Sequence, residues 1–200
     1  LPYVGELKVA DICLPEETFD RLSTWRQLSD EDLVRRYLLP RPLDAHKGKF
    51  GHVLIVGGSK KMPGAPVLAA RGALRAGAGL VTIAMPESIC KCVMEQLPEA
   101  MLLPLPEGEN GEISSFATEA IIEAAAGKIV AIGPGLGRFT ETAVLIKEMV
   151  SRLPCPVILD ADALYVLKEE SNLIAKINQP VILTPHPGEA ATLLQVDTEV

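Results

Sequence analysis

Four short segments contain glycine, histidine or acidic residues and directly follow an apolar run. They are GGSKKMPGA (57–65), GPGLG (133–137), DADAL (160–164) and TPHPGE (184–189). Glycines let a ligand approach the main chain, carboxylates can hold water or Mg²⁺, and neutral imidazole both donates and accepts a hydrogen bond. These residue types suit a site that binds a small anionic molecule.

The first segment does not match the common nucleotide-binding motifs. A P-loop requires G-x-x-x-x-G-K-[ST], but Pro63 stands five positions after Gly58. The dinucleotide motif G-x-G-x-x-G fails as well, because Arg138 stands three positions after Gly135. Pro66 suits the first turn of a helix, whose free N–H groups favour an anion or a carbonyl oxygen. The segment therefore predicts either a ligand-binding loop or a closely packed strand-to-helix turn.

The two middle segments leave similar alternatives open. The three glycines of GPGLG cost backbone entropy, so some position there needs them, either beneath a ligand or in a plain turn. In DADAL, Asp162 can act as the N-cap of the next helix. Alternatively, Asp160 or Asp162 orients water or Mg²⁺ near a phosphate.

His186 stands between two prolines, which hold it on a rigid backbone. We expect it to contact a ligand rather than to act as an acid or base, because the sequence reveals no carboxylate or nucleophile partner for it. Glu189 falls in the first turn of the following helix. There its charge offsets the helix dipole, which is a structural role.

Strands that alternate with helices must position these segments. Apolar runs at 52–57, 80–85, 128–133, 156–160 and 180–185 predict strands, and helices are predicted near 65–76 and 87–97 and in SSFATEAIIEAAA and TETAVLIKEMVSRL. The first of these helices is predicted to end on left-handed glycines at Gly77 and Gly79. Continuous apolar strands that alternate with helices indicate a parallel α/β sheet covered on both faces. Because ligands bind beyond the carboxyl ends of such strands, all four segments are predicted at one edge.

Composition restricts the classes of partner. The chain has 200 residues, of which 48% are hydrophobic and 22% charged, which is typical of a globular domain. A net charge of −7 argues against nucleic acid, and no apolar run suits a membrane span. Residues 41–75 nevertheless carry seven basic side chains and one acidic side chain, which form either a positive field for an anion or a solvated surface.

The cysteines fit no metal-ligand spacing, so we expect reduced thiols, a cytoplasmic location and no metal bound directly by the protein. They are Cys13, Cys90, Cys92 and Cys155.

The first twenty residues differ from the rest. Residues 1–20 predict one short strand and a Pro turn, too little for a core, so they resemble the end of a preceding domain and a linker. Residues 21–200 then form the main domain. Residues 29–32, Ser-Asp-Glu-Asp, precede LVRRYLLP as a capping-box pattern, which predicts a helix capped by Ser29.

The motifs HKGKFGHVLIVGGS, MPGA, ALRAGAGLV, AIGPGLG, PVILDADAL and ILTPHPGE together resemble the ADP/ATP-dependent NAD(P)H-hydrate dehydratase family, over about residues 28–194. The resemblance implies a three-layer, parallel-sheet, ribokinase-like fold. It implies an enzyme that uses ADP or ATP with Mg²⁺ to phosphorylate the C6 hydroxyl of hydrated NADH or NADPH and then eliminates phosphate.

The resemblance also implies site residues. Hydrated NADH or NADPH is expected to contact the loops at Gly64, Ala65, Gly133, Gly135, Gly137 and His186, and Asp160 and Asp162 are expected near phosphate or Mg²⁺. An epimerase domain is expected in the same parent chain, since VADICLP resembles its last strand. We also expect a homo-oligomer, because an unpaired sheet edge favours association.

The family's G-G-T-G-D segment, which supplies an anion hole and the catalytic base, does not occur before Val200. The expectation is therefore a fold incomplete at its C-terminus, with the substrate half of the site and no catalytic residue of its own. These 200 residues alone are predicted not to turn over NADH hydrate. The alternatives are another ribokinase-like kinase, such as one for a vitamin-precursor alcohol, and a non-catalytic dinucleotide-binding module.

Overall fold

A computed structural model describes residues 30–38, 40–168 and 170–197, without the side chains of Asp32 and Ser171. The chain divides into two units, Leu1–Leu43 and Asp44–Val200. The predicted boundary after residue 20, with the preceding domain, lies outside the described residues and stays a prediction.

The described part of the first unit contains one helix, α1 (Glu31–Tyr37). Its N-cap is Asp30, whose carboxylate accepts a hydrogen bond of 2.8 Å from the Leu33 N–H. The prediction of a helix is confirmed, but the cap is Asp30 rather than Ser29. Aspartate caps as well as serine does, so the sequence offered two adjacent solutions.

Six parallel strands form the sheet of the second unit, in the order β3-β2-β1-β4-β5-β6. The strands are β1 (His52–Val56), β2 (Leu80–Pro86), β3 (Met101–Leu105), β4 (Ile129–Ile132), β5 (Val157–Leu159) and β6 (Val181–Leu183). The helices are α2 (Gly64–Ala76), α3 (Cys90–Gln96), α4 (Thr118–Ala125), α5 (Thr140–Arg152), α6 (Asp162–Leu167), α7 (Ser171–Ala175) and α8 (Pro187–Leu194). The predicted parallel α/β architecture is confirmed.

The core lies on both faces of this sheet. Along β1, Leu54 and Val56 enter one buried cluster together with residues of α4, α5 and α6. Ile55 points the other way, into a second cluster with residues of α2 and α3. Alternate residues of one strand are thus buried on opposite faces, which explains why the strand sequence is continuously apolar. No helix in the described ranges is long and apolar enough to cross a membrane.

Two glycines after α2 serve different purposes. Gly77 adopts a φ of 106° and its N–H bonds to the carbonyls of Ala73 and Leu74, so the predicted left-handed cap is confirmed there. Gly79 is needed for space instead, because a Cβ would lie 1.7 Å from the Lys47 carbonyl oxygen. The prediction of a second left-handed cap at Gly79 is therefore wrong.

Half-buried His52 at the start of β1 makes stability depend on pH. Its Nε2 lies 2.7 Å from the Thr82 hydroxyl, and burial, helped by the charge of Lys128, lowers the pKa of His52 below 6.5. As the pH falls, His52 therefore takes up its proton in the unfolded chain at a higher pH than in the folded protein. Its contribution to stability is complete above the unfolded pKa of 6.5 and is lost as the pH falls through the folded pKa. In urea titrations we expect a shallower loss of unfolding free energy between neutral and mildly acidic pH for His52→Gln than for the unaltered protein. Parallel curves for the two proteins would contradict this.

Candidate functional site

The segments after β1, β4, β5 and β6 lie side by side, because these strands are neighbours in this order. We call residues 57–65, 133–138, 160–165 and 184–189 the rim. Ser59, which is buried, donates a hydrogen bond of 2.8 Å to the Gly135 carbonyl. The Thr184 hydroxyl donates one of 2.7 Å to the Asp160 carboxylate. The four predicted segments therefore form one continuous edge.

The glycines of 133–137 are required by the backbone itself. Gly133, Gly135 and Gly137 have φ values of 131°, 69° and 84°, a region that L-residues avoid. Gly135 also packs against the first loop, since a Cβ there would lie 2.8 Å from the Met62 carbonyl oxygen and 2.9 Å from the Ala65 Cβ. Ala65 and Gly135, both predicted to bind substrate, are thus direct neighbours. Gly64, which begins α2, directly precedes Ala65.

Asp162 fixes the β4 loop rather than capping a helix. Its carboxylate accepts hydrogen bonds from the Gly137 N–H at 2.9 Å and from Arg138 Nε at 3.1 Å, and its side chain is only 11% exposed. The N-cap of α6 is Ala161, with a φ of 46°. The N-cap alternative for Asp162 is therefore wrong. Asp162 is already the first helical residue, and its carboxylate reaches across to the neighbouring loop.

His186 is the N-cap of α8. Its Nδ1 accepts hydrogen bonds from the N–H groups of Gly188 at 3.1 Å and Glu189 at 3.4 Å, while the Glu189 carboxylate accepts one of 3.0 Å from the His186 N–H. The predicted structural role of Glu189 is confirmed by this capping box. Because Nδ1 accepts, the proton of the neutral ring must sit on Nε2.

The sequence-based view that His186 lacks a carboxylate partner is wrong. Nε2 of His186 lies 3.4 Å from Glu189 Oε1. The helix dipole explains Glu189 without a partner, but a spacing of three residues at a helix start also brings the two side chains together.

A cavity of 310 Å³ opens beside His186. It is lined by Arg138, Leu164, Tyr165, His186, Gly188, Glu189 and Thr192. Ala65 and Gly135 do not line it. The β4 loop lines it through Arg138, three residues after Gly135. The structure thus groups Ala65 with Gly135, and His186 with Arg138, along one rim.

Arg138 and Tyr165 were not recognised from the sequence. The Arg138 guanidinium carbon lies 3.9 Å from the centre of the Tyr165 ring, close enough for a cation–π contact. A signal for Arg138 existed, since it directly follows the glycine segment at the sheet edge. Tyr165 had none, because its contact with Arg138 joins helix α6 to the β4 loop, which is distant in sequence.

Segment 41–75 was predicted to form either a positive field for an anion or a solvated surface, and its basic residues divide between the rim and positions elsewhere. Lys60 and Lys61 lie on the rim, where the Lys61 ammonium is 5.9 Å from the Phe139 ring centre. Lys49 instead pairs with Asp44, and Arg71 bonds to the Gln96 carbonyl. A positive field at the rim therefore comes from part of the segment only.

The cysteines of the described ranges are free thiols. Burial raises the pKa of Cys90 and of Cys155, so both stay protonated and unreactive near neutral pH. Within the ranges that the structure covers, no group of three or more His, Cys, Asp or Glu side chains could hold a metal ion.

The family model of NAD(P)H-hydrate dehydratase matches residues 53–199, which span all six strands and the rim. The chain belongs to this family. Among relatives, the bifunctional NAD(P)H-hydrate repair enzyme Nnr of Moorella thermoacetica is 41% identical over 191 residues, 95% of this chain and 36% of that protein.

Solved structures agree with the family and the fold. An ADP/ATP-dependent NAD(P)H-hydrate dehydratase from Bacillus subtilis, co-crystallised with ATP/Mg²⁺, is similar with a TM-score of 0.63 and 34% identity, over 84% of this chain and 56% of that one. A ribokinase-like superfamily protein from Enterococcus faecalis has a TM-score of 0.66 at 24% identity, over 80% of this chain and 54% of that one. The predicted ribokinase-like fold is confirmed. The chain spans only 36% of the Moorella relative and 56% of the Bacillus structure.

Proposed function

We propose that the natural protein containing this chain removes water from hydrated NADH or NADPH. In the proposed reaction, ADP or ATP phosphorylates the C6 hydroxyl of the hydrate, and loss of phosphate restores the dihydronicotinamide, so the enzyme is a carbon–oxygen lyase. The observation that carries the proposal is the continuous rim in a chain of the dehydratase family. It holds Ala65, Gly135 and His186 on hydrogen-bonded loops.

The residues of the rim divide into contacts and supports. Gly64 and Ala65, which are partly exposed, offer a surface free of large side chains against which a flat ring can lie, and buried Gly135 packs directly against Ala65. His186 uses Nδ1 for its own helix and leaves the Nε2 hydrogen, beside Glu189, for a substrate oxygen. Contact between these residues and the hydrate remains our proposal.

The two aspartates are proposed to act differently. Asp162 has both carboxylate oxygens occupied by the β4 loop, which fits a residue that positions Gly137 rather than one that binds phosphate. Asp160 accepts one hydrogen bond from Thr184 and keeps its other oxygen for water near a phosphate.

Dependence on ADP or ATP and Mg²⁺ is proposed from the family resemblance and from the ATP/Mg²⁺ of the Bacillus structure. The described residues do not fit a metal site made by protein side chains alone. We therefore assign no step to Mg²⁺ within this chain. When bound by nucleotide phosphates, Mg²⁺ supplies neutralisation of their charge.

The test is an assay of the natural protein with NADH hydrate. We expect the near-ultraviolet absorbance of dihydronicotinamide to recover when ADP or ATP and Mg²⁺ are present, with one phosphate released per NADH formed. Omission of the nucleotide is the control. Phosphorylation of a thiazole or pyrimidine alcohol in place of the hydrate would favour a small-molecule kinase. Dinucleotide binding without phosphate release under any condition would favour a non-catalytic module.

Three further expectations accompany the proposal: a homo-oligomer, a cytoplasmic location, and an epimerase domain in the same natural chain. The first is the sequence-based expectation that an unpaired sheet edge favours association. Light scattering of the natural protein tests it, and a monomer at all concentrations would refute it.

A further inference from the structure

A second cavity shares Arg138 and Tyr165 with the cavity beside His186. It has a volume of 190 Å³ and is lined by Arg138, Phe139, Ala143, Lys147, Tyr165, Val166 and Lys168. Three of these residues are cationic and none is acidic. Arg138 and Tyr165 therefore form a ridge between the His186 cavity and a positively charged one, and we call this pair the ridge.

The Tyr165 ring of the ridge contacts two cations. The Arg138 guanidinium carbon lies 3.9 Å and the Lys168 ammonium 4.0 Å from the centre of the Tyr165 ring. Both cations also line the 190 Å³ cavity, where their like charges repel, and the electron-rich ring offsets only part of that repulsion. An anion that contacts both cations would remove the rest.

The three cations differ in how far carboxylates neutralise them. Lys147 forms an ion pair with Glu170, and Arg138 forms one with Asp162. Lys168 has no carboxylate partner within the described ranges, and its ammonium packs against the Tyr165 ring. Lys168 thus contributes a positive charge that the described part of the protein does not balance.

Arg138 is held in a fixed orientation, and only part of its hydrogen-bonding capacity is engaged within the described ranges. Its Nε donates to Asp162, which fixes the plane of the guanidinium together with Tyr165. The terminal nitrogens have no acceptor in the described ranges, and the side chain is 56% exposed. A planar, oriented guanidinium with free N–H groups matches the oxygens of a phosphate.

We propose that Arg138 and Lys168, held on Tyr165, bind a phosphate group of the dinucleotide substrate. This inference rests on the proposed function. Dinucleotide phosphates need cations; Ala65, Gly135 and His186 carry no permanent charge, whereas Arg138 and Lys168 line one cavity next to the His186 cavity. The phosphate is either the diphosphate common to NADH and NADPH hydrates or the 2′-phosphate found only on NADPH hydrate.

The test uses Arg138→Gln and Lys168→Ala in the natural protein, with Lys91→Ala, an exposed residue of α3, as the control that removes one charge elsewhere. We expect KM for the hydrate to rise about tenfold to hundredfold in Arg138→Gln and about threefold to tenfold in Lys168→Ala, with kcat nearly unchanged. Added salt should raise KM less steeply in both variants than in the control. A rise in KM for both hydrates identifies the diphosphate, and a rise in KM for NADPH hydrate alone identifies the 2′-phosphate.

The other outcomes decide against the inference. KM values within twofold of the control in both variants, or a loss of kcat at unchanged KM, would show that Arg138 only supports its loop. Lys168→Ala leaves the Asp162 contact intact, so it decides the matter if Arg138→Gln does not fold. If the unaltered protein acts on neither hydrate, the proposed function fails. Calorimetric titration of the same variants with NADPH then decides the phosphate contact separately.

Discussion

Replacing Gly133 with alanine is expected to lower the free energy of unfolding by at least about 3 kcal/mol. Gly133 has a φ of 131°, and an added Cβ would lie 1.8 Å from the carbonyl oxygen of Asp160. The clash is with main chain of the neighbouring loop, so no side chain can rotate away to relieve it. Urea denaturation followed by circular dichroism measures the loss.

Gly72→Ala is the matched control for Gly133→Ala. Gly72 lies inside α2, where an added Cβ meets no atom within 4 Å. Alanine is a better helix former than glycine, so this variant is expected to gain up to about 1 kcal/mol. Equal stability of the two variants would show that the β4 and β5 loops are not packed as described.

Two substitutions of His186 are expected to separate its two roles. His186→Ala removes both the cap of α8 and the Nε2 hydrogen, so it should lower the free energy of unfolding by about 1 kcal/mol and reduce kcat/KM about tenfold to hundredfold. His186→Asn keeps a side chain that caps helices well, so stability should stay near that of the unaltered protein. Because the short asparagine cannot reach where Nε2 lies, its kcat/KM should fall as in the alanine variant.

Hydrate-dependent kinetics and thermal unfolding of both variants provide the measurement. Full activity in His186→Asn would mean that the imidazole acts only as a helix cap, and His186 would leave the proposed substrate site. Equal loss of stability in both variants would instead contradict the capping geometry.

The sequence was sufficient for the parallel α/β class and for five of the six strands, all but β3, because these signals are local. The continuous apolar run of β1 predicts a strand buried on both faces, and its alternate residues do enter two different clusters. The alignment of the loops followed from strand direction alone, since parallel strands place their carboxyl ends together. Pro187 and Glu189 likewise located the start of α8 correctly.

Contacts between loops could not be derived in the same way. Asp162 bonds to Gly137, 25 residues away, and nothing in DADAL distinguishes a carboxylate that caps its own helix from one that reaches a neighbouring loop. The left-handed backbone of Ala161 decided between them. Alanine gives no sequence signal for that conformation. Tyr165 was missed for the same reason, because its role depends on a stacking contact with Arg138 across the rim.

The hydrogen bonds that join the loops of the rim bear on how a ligand would be gripped. Ser59 holds Gly135, Asp162 holds Gly137, and Thr184 holds Asp160, so each loop is immobilised by the next before any ligand arrives. Ligand binding then costs little conformational entropy of the loops, so more of the contact energy contributes to affinity. The same rigidity limits adaptation, so a molecule of slightly different shape would be rejected rather than accommodated.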